Sequence, residues 1–180
     1  MRKIVYINDG SRNSDACSGE KYFDFLDYAF SKTDFFMLVY VNYYGKGYSQ
    51  KKKYFKKALE PFKIKSRNNP SWPGTINTFC RDTTYKVVFY RNDPRAKSIL
   101  KEASSLSSWK RPEYPEDLAF FNGNRCWFYS VGHENISAII DADEEDIYFL
   151  KSKGISSIDN VRIHEDSCFD QYDEILIREE

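Results

Sequence analysis

The chain reads as a layered α/β domain, a mixed β-sheet flanked by about four helices. Three observations predict it. Segments of helical and strand periodicity alternate along the chain. The step Asn122-Gly123-Asn124 lies between two apolar runs, a hairpin signal that rules out a purely parallel sheet. The 180 residues contain no internal repeat and no composition shift that marks a linker, so one globular domain over 1–180 is expected.

The elements follow in order. Ile4–Ile7 is a short apolar strand. Apolar residues at 22, 23, 25, 26, 29 and 30 give Glu20–Phe30 a helical stripe, with Ser18 placed to cap it. Phe35–Tyr44 is aromatic and β-branched, the composition of a central strand. Gly45-Lys46-Gly47 turns the chain. Ser49 caps a helix whose buried stripe is Tyr54, Phe55, Ala58 and Leu59, and Pro61 ends it. Residues 66–74 read as a polar loop and Thr75–Phe79 as a short strand. Thr84–Tyr90 is a strand. Asp93-Pro94 opens a helix that buries Ala96, Ile99, Leu100 and Ala103. Trp109–Pro115 is a rigid loop. Leu118–Phe121 and Arg125–Val131 flank the hairpin turn. Ser137–Ile140 is a strand. Asp141 or Asp143 caps a helix that runs through Phe149 and Leu150 and stops at Gly154. Val161–His164 and Glu174–Arg178 read as closing strands.

Composition narrows the class. Hydrophobic residues make up 41% and aromatics 17%, enough for one sizeable core. With 8 Gly and 6 Pro, collagen-like and low-complexity readings are excluded. No apolar run approaches the roughly 20 residues that span a bilayer, and the apolar part of the N-terminus is too short for a signal-peptide core. The cysteines at 17, 80, 126 and 168 form no C-x-x-C pair. A reduced, cytoplasmic protein with no membrane partner is expected.

Charge is balanced in total, 27 basic against 27 acidic residues, but not along the chain. Residues 1–100 carry 19 basic and 9 acidic residues, and residues 101–180 carry 8 and 18. Either the halves neutralise each other, or one patch meets an oppositely charged partner. The acidic candidates are Asp141, Asp143, Glu144, Glu145 and Asp146, offered to a basic protein with exposed aromatics as anchors. The basic candidates are Lys51, Lys52, Lys53, Lys56 and Lys57, whose interleaved aromatics suit phosphates and bases. On a helix these lysines more often form a solvated face.

Catalytic signatures are missing: there is no G-x-S-x-G, H-E-x-x-H, P-loop or dinucleotide fingerprint. The two histidines, His133 and His164, have no ligand spacing, so no metal and no cofactor are expected. The densest local cluster runs from Trp109 to Glu134 and holds Glu116, Asp117, Ser130, His133 and Glu134. Glu116 and Asp117 suit acid–base work, or else bind backbone N–H groups where the loop enters the strand, the preferred reading. Strand alternation puts Cys126, Phe128 and Ser130 on one face and Arg125, Trp127 and Tyr129 on the other. Cys126 and His133 would lie on the order of 20 Å apart on an extended chain, too far for a nucleophile and its base. Trp127 is expected to be substantially buried.

The segments PEDLAFF and CWFYSVGHE resemble a pattern in small bacterial proteins, some of them similar to the immunity partners of polymorphic toxins. Pro115, Glu116, Asp117, Leu118, Trp127, Ser130, His133 and Glu134 carry it, within about 20 residues of the chain. The resemblance implies non-catalytic binding of a cognate protein toxin in the cytosol, and no residue role follows from it. The leading expectation is therefore an immunity-type protein that occludes a toxin with a basic surface, a nuclease being one such toxin. The alternatives are a small hydrolase or transferase built near Glu116, Asp117 and His133, and a nucleic-acid-binding protein using helix 51–57.

Overall fold

The computed structural model describes residues 3–7, 16–42, 47–75 and 84–160. The elements are β1 (Ile4–Ile7), α1 (Glu20–Lys32), β2 (Phe35–Asn42), α2 (Gln50–Leu59), β3 (Lys63–Asn68) and β4 (Thr84–Arg91). They continue with α3 (Pro94–Leu100), β5 (Glu116–Asn122), β6 (Arg125–Val131), β7 (Ile136–Ile140), α4 (Glu144–Ser152) and β8 (Ser157–Asn160). The strands form one sheet in the order β3-β4-β2-β5-β6-β7-β1-β8. The layered α/β domain with four helices is thus as expected. The antiparallel pairing that the hairpin signals extends to every described strand pair.

The helices share one face of the sheet. Tyr22, Phe25 and Leu26 of α1, Phe55 and Leu59 of α2, Ala96 and Leu100 of α3 and Leu150 of α4 pack with Phe36, Leu38, Phe120 and Phe128. Alternate residues of the same strands build a second cluster on the other face: Met37, Val39, Phe89, Phe121 and Tyr129, joined by Trp72 from the chain after β3. A strand buried on both faces has no polar positions to alternate with, which explains the unbroken apolar run in β2.

Several local expectations are corrected. Helix α1 begins after Gly19, which takes φ +59° and makes no side-chain cap, while Ser18 bridges to Ser105 instead. In α2 the buried positions are 52, 55 and 59, so Lys52 is inside and Tyr54 is exposed. Residues 66–68, read as loop, belong to β3. Strand β3 is an edge strand, and the lysines that hide its periodicity are what edges use to discourage further pairing. On β6, Cys126 and Phe128 do not share a face. Phe120 pairs with Phe128 and Phe121 with Cys126, so Trp127 is the extra residue of a bulge. The last strand among the described residues is β8, antiparallel to β1. The strands expected at 161–164 and 174–178, most of that at 75–79, and Cys80, His164 and Cys168 lie outside the described residues.

Hydrogen-bonded caps match the sequence where a short polar side chain precedes the helix. The Ser49 hydroxyl accepts from the Lys52 amide at 3.1 Å, Asp93 from Arg95, and Asp143 from Asp146. Ion pairs cross between the two halves of the chain at several points, and those of Lys32 and Lys51 join the basic half to the acidic one. Lys32 pairs with Asp143 and Glu145, Lys51 with Glu113, Lys101 with Asp27 and Lys153 with Asp24.

Candidate functional site

The start of β5 and the turn after β6 meet at one end of the sheet. Successive residues on a regular strand point to opposite faces. Asp117 breaks that rule: its φ is +57°, and the pairing of β2 with β5 slips between Met37 and Val39. Aspartate tolerates this left-handed conformation better than most residues. The carboxylates of Glu116 and Asp117 converge as a result, and His133 joins them. One ligand atom from each of the three lies within 4.8 Å of the others.

The three side chains differ in environment. Asp117 is buried and held from two sides: its Oδ2 accepts from the Trp72 indole at 2.6 Å and its Oδ1 from the Gly132 amide at 2.9 Å. Burial raises its pKa, and those two donors pull it back. Asp117 thus plays the backbone-binding part expected where the loop enters the strand. Glu116 does not. It is 2% exposed, and its Oε1 accepts no hydrogen bond. Burial, with the Asp117 charge beside it, pushes its carboxyl up to about 7, against the opposing pull of Arg111 and Lys52. Burial in turn lowers the Lys52 ammonium, with Glu116 as its counter-charge. His133 sits on the exposed turn, its Nε2 3.6 Å from Glu134 Oε1.

Backbone packing holds this corner shut. The Trp109 carbonyl accepts from the Asp117 amide at 3.1 Å. A Cβ built on Gly132 would lie 2.2 Å from that same oxygen, so only glycine fits there. Trp109 itself is fully buried, and its indole donates to the Tyr22 hydroxyl at 3.0 Å.

The remaining candidates are distributed differently. Ser130 is buried and donates to the Leu118 carbonyl at 2.9 Å. With Ile7, Cys17, Gly132 and Ser137 it lines a shallow recess that none of Glu116, Asp117 or His133 lines. Glu134 is exposed beside His133. Cys126 is outside the cluster: its thiol donates to the Phe128 carbonyl at 3.3 Å in the other core. Trp127 is half-buried, stacked on Phe25 at 6.1 Å between ring centres.

No protein-family model, curated protein or solved structure matches this chain.

The acidic candidates separate into two kinds. Asp146 is a correction: it is buried, and it accepts from the Tyr28 hydroxyl at 2.8 Å, the Trp127 indole at 3.4 Å and the Asp143 amide at 3.0 Å. It serves the fold and is not offered to a partner. Asp143 caps α4, and Lys32 bridges it to Glu145. Asp141 is exposed at a left-handed position, φ +55°. Glu144 is exposed on the first turn of α4.

The basic helix is also divided. Lys52 is buried, Lys51 lies over the Tyr114 ring at 4.3 Å, and Lys56 lies over Tyr48 at 5.1 Å. Lys53 and Lys57 point to solvent. Lys52, Trp72 and Arg111 are the site residues that sequence reasoning missed. The only available signals were the i, i+3, i+7 spacing of Lys52 with Phe55 and Leu59, and a tryptophan inside a polar segment.

A carboxyl near neutrality, a fixed carboxylate and an imidazole at the surface can exchange a proton or hold a cation.

Proposed function

We propose that the protein is a binding protein of the toxin-immunity type, docking a basic protein through the outer face of α4. The observation that carries this reading is Tyr148, 73% exposed, four residues after Glu144 and three after Glu145. Those spacings put the ring and both carboxylates on one helix face. A large exposed aromatic with carboxylates on the preceding turn suits an interface anchor. The resemblance of PEDLAFF and CWFYSVGHE to immunity-type proteins points the same way. A toxin that acts on nucleic acid would present the complementary basic surface.

The experiment is co-purification with the product of the adjacent gene, followed by kinetics of the complex. Tyr148→Ala should weaken binding by about 30-fold or more, the size of an anchor's loss. Glu144→Lys together with Glu145→Lys should slow association and flatten its salt dependence, because rim charges act on the on-rate. A complex whose rates ignore both sets of changes would refute the assignment of this surface.

A further inference from the structure

We propose that Glu116, Asp117 and His133 form a binding site for a single divalent transition-metal ion, with Zn2+ the best fit. The set is two carboxylates and one imidazole, on two adjacent chain segments, with ligand atoms within 4.8 Å of one another. Around a tetrahedral ion with bonds of about 2.0–2.2 Å, ligand atoms lie roughly 3.4 Å apart. Reaching that spacing takes side-chain movement within the set, and His133 is the one ligand on an exposed turn.

Glu116 supplies the second observation. Its Oε1 is buried and accepts no hydrogen bond from the protein. A buried carboxylate oxygen left without a donor is costly, and a coordinated cation satisfies it. Asp117 is already oriented as metal ligands are. The Trp72 indole and the Gly132 amide each take one lone pair of its oxygens and fix the plane of the carboxylate. His133 opens the site to solvent and gives the ion its path. Three protein ligands leave a fourth position for water. Imidazole favours zinc and its neighbours over Mg2+ and Ca2+, which demand more oxygen ligands than this corner offers. Lys52 and Arg111 face Glu116 and compete with the ion for it. This site is remote in kind from the α4 surface, and neither reading depends on the other.

The test uses the full-length protein, stripped with EDTA and titrated with Zn2+, and in parallel with Mn2+, which has little affinity for thiols. Wild-type protein should take up one ion saturably, and its melting temperature should rise with ion concentration. Glu116→Gln and His133→Ala should each abolish that uptake or weaken it beyond the roughly 10–100-fold that an orienting residue commands. Trp72→Phe should weaken it by about 10–100-fold without removing a ligand. Glu144→Gln, on the outer face of α4 and in contact with none of the three ligands, should bind as wild type does. Absence of saturable uptake, or uptake that survives both Glu116→Gln and His133→Ala, would overturn the proposal. Because His133 is on an exposed turn, its alanine variant keeps the fold and the result stays interpretable.

Discussion

Glu116 shows what one buried group does to the stability of the molecule. Its carboxyl is raised from 4.5 to about 7. Below about pH 4.5 the folded and unfolded chains both hold the proton. Between 4.5 and 7 only the folded chain does, so stability falls as pH rises through that window. Above 7 both forms are ionised and the full penalty, about 3 kcal/mol, is present. Urea titrations of metal-free protein from pH 4 to pH 8 should therefore show a downward slope attributable to this residue. Glu116→Gln should reduce that slope, leaving the smaller decline that the buried Asp117 carboxyl contributes, and leave the variant more stable than wild type at pH 8. A parallel decline in both proteins would assign the slope to other groups. Asp117 was legible in the sequence as a backbone-binding carboxylate. The isolation of Glu116 was not, because it follows from the left-handed turn at the next residue and from Lys52 arriving on another element.

Helix α4 illustrates how one element divides its charges. Its acidic first turn complements the helix N-terminus. Asp146, third in that turn, returns to the Asp143 amide and at the same time receives the Tyr28 hydroxyl and the Trp127 indole. Removing it leaves three donors without their acceptor. Asp146→Ala should cost about 2–4 kcal/mol, the cap contribution plus the donors left unsatisfied. Glu145→Gln, which loses only an exposed ion pair with Lys32, should change stability by less than about 1 kcal/mol. Equilibrium denaturation of the two variants measures the contrast, and equal costs would show that Asp146 has no special place. The sequence revealed the helix and its stop at Gly154 and narrowed the cap to Asp141 or Asp143, of which the structure uses Asp143. Which acidic side chain turns inward depends on α1 and β6 lying beside it, and their placement is a tertiary fact.

Across the whole molecule, opposite charges in the two halves of the chain come together as surface ion pairs. The pairs of Lys32, Lys51, Lys101 and Lys153 cross between halves, and each involves at least one substantially exposed partner. Exposed pairs contribute about 0–1 kcal/mol each and are screened by salt, whereas the two apolar clusters that sandwich the sheet are not. Raising NaCl from about 0.05 to 0.5 M should therefore shift the melting temperature by only a few degrees, followed by circular dichroism. A collapse of the melting point in high salt would mean that the charge split, and not the aromatic core, holds the halves together.

The sequence by itself determined the elements whose signals are local. The apolar run of β2, the Asn-Gly hairpin between β5 and β6, and the caps at Ser49 and Asp93 each depend on a few neighbouring residues. The tertiary structure alone decided what depends on distant partners. It made β3 a strand, because an edge needs only a neighbour's backbone to pair with and carries lysines that mask its period. It turned Cys126 away from Phe128 by inserting Trp127 as a bulge. It also gathered Glu116, Asp117 and His133, residues up to 17 positions apart, with Lys52 and Trp72 from two further segments. Residue spacing carries no record of that meeting, because it is produced by strand register and by a backbone angle that sequence patterns do not encode.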